Sequence, residues 1–153
     1  MAGGAGAEAR YLMTAAATAD NPRFEVSRHE VDKEQLCYTV DTVRHFRELT
    51  PDAELYFITG ADAVLEILQW KDPGELLEMA VLIAATRPGY PLDRLPGAMS
   101  GYIERRQVIV MEIPAIGISS SLIRERVARG RSIRYLVPDG IERFIEKEGL
   151  YRQ

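Results

Sequence analysis

Three short apolar runs, Leu55–Ile58 (LYFI), Ala80–Ala85 (AVLIAA) and Gln107–Met111 with Ile113, constrain this chain more than any other feature. Each is too short for a buried helix, each ends on turn-forming residues, and stretches of helical spacing lie between them. Strands alternating with helices predict an α/β domain with a mainly parallel sheet. Such sheets bind ligands at the carboxyl ends of their strands. In this sequence those places are Gly60-Ala61-Asp62, Arg87 and the segment after Ile113.

The intervening segments read as follows. An Ala-rich helix runs from Tyr11 to Ala19 and stops at Asp20-Asn21-Pro22. Phe24, Val26 and Val31 alternate with charges and predict a short strand with one wet face. Val40, Val43, Phe46 and Leu49 predict a helix over Tyr38–Leu49, and shorter helices follow at Ala63–Leu68 and Pro73–Met79. Pro91–Ser100 reads as loop. Two helices close the chain, one opened by Ser119–Ser121 and stopped at Gly130, the other carrying Ile141, Phe144, Ile145 and Leu150 on one face.

Composition excludes several classes. With 153 residues, 46% hydrophobic, the length suits one domain and leaves no room for wholesale disorder. No run of about 18 apolar residues exists to span a membrane as a helix, and Met1–Ala9 lacks the basic and apolar regions of a signal peptide. The single cysteine, Cys37, excludes an internal disulfide and fits a reducing cytoplasm. Nineteen basic against 23 acidic residues, net −4, argue against a nucleic-acid coat.

The sharpest chemical signal is ISSSLIRERVARG, residues 118–130. Serine hydroxyls before a helix cap its orphan N–H groups, so one serine is explained by capping alone. Arg124 is not, because a cation in the opening turns opposes the helix dipole. A phosphate held by Ser119, Ser121 and Arg124 would resolve the conflict; a plain cap with a solvated arginine is the competing reading. Arg126, Arg129 and Arg131 read as solvated. Gly60 allows close backbone approach and Asp62 a bond to ribose hydroxyls, against the plainer reading of Asp62 as an N-cap. Trp70 is either a half-buried lid over a helix end or a platform for a planar ring. Thr39 reads as an N-cap with Thr42 also nearby, and Arg87 follows a strand end where a phosphate would sit. His29 and His45 show no metal-ligand spacing and read as surface residues; Cys37 has no activating partner.

Taken together, NPRFEVSRHEVD, YTVDTVRHFREL, ELYFITGAD, the WKDP loop, AATRPGY and ISSSLIRERVARGRSIRYLVPDGIERFIEKEGLY resemble the bacterial nicotinate-nucleotide adenylyltransferases, in the family's order and over about Tyr11–Tyr151. The resemblance implies a Rossmann-like nucleotidyltransferase fold and cytoplasmic NAD biosynthesis. In that reaction nicotinate mononucleotide attacks the α-phosphorus of ATP. By the resemblance, Ser119, Ser121 and Arg124 contact ATP phosphates, and Gly60 and Asp62 lie on the adenosine side. Thr39, Trp70 and Arg87 surround the nicotinate nucleotide, with Trp70 stacked on the ring. Mg2+ is expected on the ATP phosphates without a protein cage. The third serine, Ser121, stands where the family commonly has threonine.

The family also opens with a strand carrying G-x-F-D-P-x-H-x-G-H, and this sequence contains no such string. No catalytic residue is therefore assigned. Residues 1–153 read as a single, N-terminally incomplete nucleotidyltransferase domain whose first strand is missing. In that family the strand lies mid-sheet, so its loss would leave unpaired strand edges and an apolar gap. Two explanations compete: a start placed downstream of the natural one, or a short chain of poor activity. The alternatives to adenylyl transfer onto nicotinate mononucleotide are a non-catalytic nucleotide-binding remnant or another adenylyltransferase of the superfamily. Self-association through an exposed sheet edge is a further expectation.

Overall fold

The computed structural model describes residues 4–64, 66–86, 100–114 and 116–152. By its contacts the chain divides into two compact units, Gln35–Ala115 and the paired ends Met1–Glu34 with Ile116–Gln153.

The central unit holds the sheet. In chain order it contains α2 (Thr39–Leu49), β1 (Tyr56–Gly60), α3 (Ala61–Val64), a 3-10 turn (Ile67–Gln69), α4 (Pro73–Met79), β2 (Val81–Thr86), α5 (Ser100–Glu104) and β3 (Val108–Glu112). The three strands are parallel in the order β1-β2-β3. Period-two alternation divides the strand side chains between two faces. Leu82, Ala84 and Val108 turn into a core completed by Val40 and Val43 of α2, Leu76 and Leu77 of α4, and Val64 and Ile67. The opposite face aligns Ile58, Ile83 and Ile109 in register, with Ile58 67% exposed and Met111 46%. Parallel sheets normally bury both faces.

The edge of β1 is open among the described residues. The Leu55 carbonyl accepts from the Val81 N–H at 2.9 Å, so the backbone groups of Leu55, Phe57 and Thr59 point at β2. Those of Tyr56, Ile58 and Gly60 therefore point the other way, where no strand pairs with them among the described residues.

The second unit comprises α1 (Ala7–Thr18), α6 (Ser120–Ala128) and α7 (Asp139–Lys147). Its core is Ile123, Ile133, Ile141 and Ile145, with Met13, Val127 and Leu136 packed against them. α6 and α7 stop by the same device. Gly130 (φ 63°) and Gly149 (φ 61°) take the left-handed conformation, which costs little without a Cβ. The next N–H then reaches back five residues: Arg131 to the Arg126 carbonyl at 2.8 Å, Leu150 to that of Ile145 at 3.0 Å.

Four local expectations are corrected. Phe24 to Val31 is not a strand: it has no ladder partner among the described residues, residues 24–28 being irregular and 29–31 a turn. The Arg23 N–H donates to Asn21 Oδ1 at 3.0 Å, and Arg28 bonds Asp32 and Glu8. Second, the first helix begins at Ala7, four residues early, because the Ala-rich start has no breaker. Third, the helix expected over Ala63–Leu68 is two short pieces, α3 and the 3-10 turn. Fourth, Ser100 opens α5 rather than ending a loop; most of the expected Pro91–Ser100 loop lies outside the described residues.

Candidate nucleotide site

The candidate residues fall in both units, and each group has its own local construction. At the opening of α6, Ser119 is the N-cap: its Oγ accepts from the Leu122 N–H at 3.2 Å. Arg124 Nη2 donates to Ser121 Oγ at 3.1 Å. No carboxylate pairs with Arg124 among the described residues, whereas Arg129 is paired with Glu125 at 2.6 Å. Arg126 donates to the Ser132 carbonyl at 2.8 Å, while Arg129 stays solvated as expected, its side chain 59% exposed. Ser119 does cap the helix, and Arg124 meets the exposed Ser121 hydroxyl with no ion-pair partner among the described residues. A cavity of about 500 Å3 in this unit lies at the other end of α6, lined by Gly130, Arg131, Ile133, Glu142 and Arg152 among others, and does not include that opening.

In the central unit, Gly60 ends β1 at its carboxyl side. A Cβ placed on it would meet nothing within 4 Å, so packing within the protein does not demand glycine there. Asp62 is the second residue of α3, which rules out the plain N-cap reading for it. Thr39 likewise is not a cap: α2 begins at Thr39, Tyr38 holds the N-cap position, and no side chain caps the helix. Trp70 follows the 3-10 turn, its N–H donating to the Ile67 carbonyl at 3.0 Å. Its ring is half-buried against the core and stands edge-on to Phe57, with centroids 6.2 Å apart. The residue as a whole stays partly exposed. Arg87 lies outside the described residues. His29 and His45 are half-buried rather than fully on the surface.

One group of residues escaped the sequence reading. Asp41 in the first turn of α2 accepts from Arg44 Nη1 at 2.8 Å and from Lys71 Nζ at 3.3 Å. Arg44 continues to Glu75 of α4 at 2.7 Å, and the Lys71 ammonium lies 4.6 Å from the centre of the Tyr38 ring. The Arg44 guanidinium bonded to it holds the Asp41 carboxyl below the usual carboxylate range. The spacing of Asp41 and Arg44, three apart on a helix, was a readable signal; the ties across some 30 residues were not.

A parallel sheet flanked by helices defines an α/β class whose members bind ligands at the carboxyl ends of the strands. Comparison with known proteins agrees: the cytidylyltransferase-like family model matches residues 4–126. The chain is 53% identical over 149 residues to a probable nicotinate-nucleotide adenylyltransferase of Moorella thermoacetica, covering 95% of this chain and 69% of that one. The probable nicotinate-nucleotide adenylyltransferase of Thermus thermophilus is 51% identical over 146 residues, covering 95% and 74%. In fold the chain is similar to the Plasmodium falciparum nicotinic acid mononucleotide adenylyltransferase, solved complexed with APC and with NaAD. That match has a TM-score of 0.66 at 19% identity, over 94% of this chain and, for the APC complex, 75% of the other. The chain belongs to the nicotinate-nucleotide adenylyltransferase family, and its α/β fold is the Rossmann-like fold of nucleotidyltransferases.

Proposed function

We propose that this chain transfers the adenylyl group of ATP to nicotinate mononucleotide, giving nicotinate adenine dinucleotide and pyrophosphate in NAD biosynthesis. The observation that carries the reading in this chain is Arg124, a guanidinium bonded to the Ser121 hydroxyl with no carboxylate partner among the described residues. A phosphate oxygen of the mononucleotide attacks the α-phosphorus of ATP. The bond from that phosphorus to the bridging oxygen breaks, and pyrophosphate leaves with the electron pair. Such chemistry asks the protein for positioning and charge stabilisation rather than a covalent intermediate.

Each group has a part in that task. Arg124 offers a forked donor to triphosphate oxygens, with the Ser119 and Ser121 hydroxyls beside it. Gly60 admits the nucleoside against backbone, and Asp62 accepts from ribose hydroxyls. Trp70 provides an apolar face for the pyridine ring, with the Thr39 hydroxyl and Arg87 as polar contacts. Mg2+ comes with ATP, whose phosphates it neutralises.

The reading takes residues 1–153 as one nucleotidyltransferase domain, supported by a family match that draws on both units. It places the protein in the cytoplasm, supported by the lone Cys37; among the described residues no helix is long and apolar enough to cross a membrane. Copies of the chain associate through the open edge of β1, a reading supported by exposed Ile58 and checked by sedimentation against concentration.

The test of the activity is incubation with ATP, Mg2+ and nicotinate mononucleotide. Dinucleotide and pyrophosphate in equal amounts, falling in Arg124→Ala, are expected; no dinucleotide together with no ATP binding would overturn the reading.

A further inference from the structure

The ring-binding residues proposed above stand beside an ionic chain that their chemistry does not use. Lys71 directly follows Trp70, and Tyr38 directly precedes Thr39. The Lys71 ammonium meets the Asp41 carboxylate at 3.3 Å and the Tyr38 ring at 4.6 Å. It therefore joins the loop that carries the indole to the helix opening that carries the threonine. Asp41 does not act alone. It is fixed by Arg44 at 2.8 Å, and Arg44 is anchored by Glu75 at 2.7 Å on α4, the helix that begins three residues after Trp70. The chain of contacts thus closes on itself: loop to α2 through Lys71, α2 to α4 through Arg44, and α4 back to the loop through Asp72-Pro73. Asp72 adopts a left-handed conformation (φ 47°), which is uncommon for a non-glycine residue. The turn after Lys71 is thereby bent sharply on the way into α4.

We propose that Lys71 is a positioning residue, latching the Trp70 loop to the opening turn of α2 so that indole and threonine are already set when a pyridine mononucleotide arrives. The inference rests on the proposed function for its ligand, but the latch itself is a property of the free protein. Preorganisation of this kind raises affinity by removing the cost of ordering a loop on binding. The ammonium has two partners of different character. Asp41 supplies charge attraction, and the Tyr38 ring supplies a quadrupole face that favours any cation set over it. Because Lys71 and Asp41 are partly exposed, with side chains 43% and 27% accessible, each contact is individually weak. The expected effect is accordingly a modest change in affinity for one substrate, not loss of fold.

Trp70 is the only tryptophan, so its fluorescence reports this loop without any labelling. In full-length Lys71→Met without ligand, acrylamide quenching of Trp70 should rise, and the nicotinate mononucleotide dissociation constant should weaken by about three- to tenfold. ATP affinity should stay within about twofold. Asp41→Asn should reproduce both changes, and Lys71→Arg, which keeps the charge, should restore them. The free-protein quenching separates a latch from a lysine that touches the ligand directly: direct contact would weaken binding while leaving quenching unchanged, and so would overturn the proposal. Wild-type quenching and affinity in both Lys71→Met and Asp41→Asn would overturn it as well. Failure of wild-type protein to respond to the mononucleotide at all would instead count against the proposed function, while the free-protein quenching would still decide whether the latch exists.

Discussion

The opening of α6 and the Trp70 loop, which belong to different units of the chain, are built on different plans. At α6 the serines are exposed, and the partly buried Arg124 has one hydroxyl contact and no carboxylate partner among the described residues. At the loop the functional ring is half-buried against Phe57 and its neighbour Lys71 is tied to Asp41 and Tyr38. The difference matches the ligands proposed for each. A polyphosphate is recognised by charge that must be available, whereas a small planar ring is recognised by a surface that must already be in place. Substitutions at the first place should therefore alter binding without touching stability, and those at the second should alter both.

Trp70→Ala tests that contrast most severely. It removes a ring packed on the core, and we expect a loss of about 2 kcal/mol in chemical denaturation, below the roughly 3–5 kcal/mol of a fully buried aromatic. Mononucleotide binding should be lost with it. Unchanged stability would show that the ring is not part of the core and would dissolve the distinction.

Arg124→Ala should leave the denaturation midpoint where it is and weaken ATP binding by about 10- to 100-fold in calorimetric titration, the range for a charged hydrogen bond. A large fall in stability would place Arg124 among structural residues instead. Gly60→Ala is expected to be smaller: no change in stability, since the added methyl meets nothing within 4 Å, and several-fold weaker ATP binding if the nucleoside approaches that backbone. Equal ATP affinity would remove Gly60 from the site.

The smallest effect is with pH. Arg44 holds the Asp41 carboxyl below its ordinary value, so its contribution is complete above that ordinary value, near about 4, and is lost only as pH falls through the lowered one. Trp70 fluorescence of the free protein should therefore be flat between about pH 5 and 8. A transition inside that interval would mean that a different group governs the loop.

Much of this architecture was legible because short apolar runs can hardly be anything but buried strands. LYFI and AVLIAA fix β1 and β2, and Val40 and Val43 fix the inner face of α2. Gly130 was readable as a stop because only a residue without a Cβ takes that conformation freely. Phe24 to Val31 misled because alternation predicts a strand only where a partner edge exists, and there Asn21, Ser27 and Arg28 satisfy the backbone and charges locally. Site residues were legible by type, but their immediate surroundings were not. That Thr39 and Asp62 are not caps depends on where the helices start, α2 at Thr39 itself and α3 at Ala61, two residues before the expected Ala63. The ties of Asp41 to Lys71 and of Arg44 to Glu75 depend on packing that brings distant segments together.

The most direct measurement compares ATP with adenosine, titrated into the full chain and into Arg124→Ala in the presence of Mg2+. If the opening of α6 holds the phosphates, wild-type protein binds ATP at least about tenfold more tightly than adenosine, and the substitution abolishes most of that advantage while adenosine affinity is unchanged. Equal affinity for the two ligands in the wild type, or an ATP advantage that survives the loss of Arg124, would contradict the account.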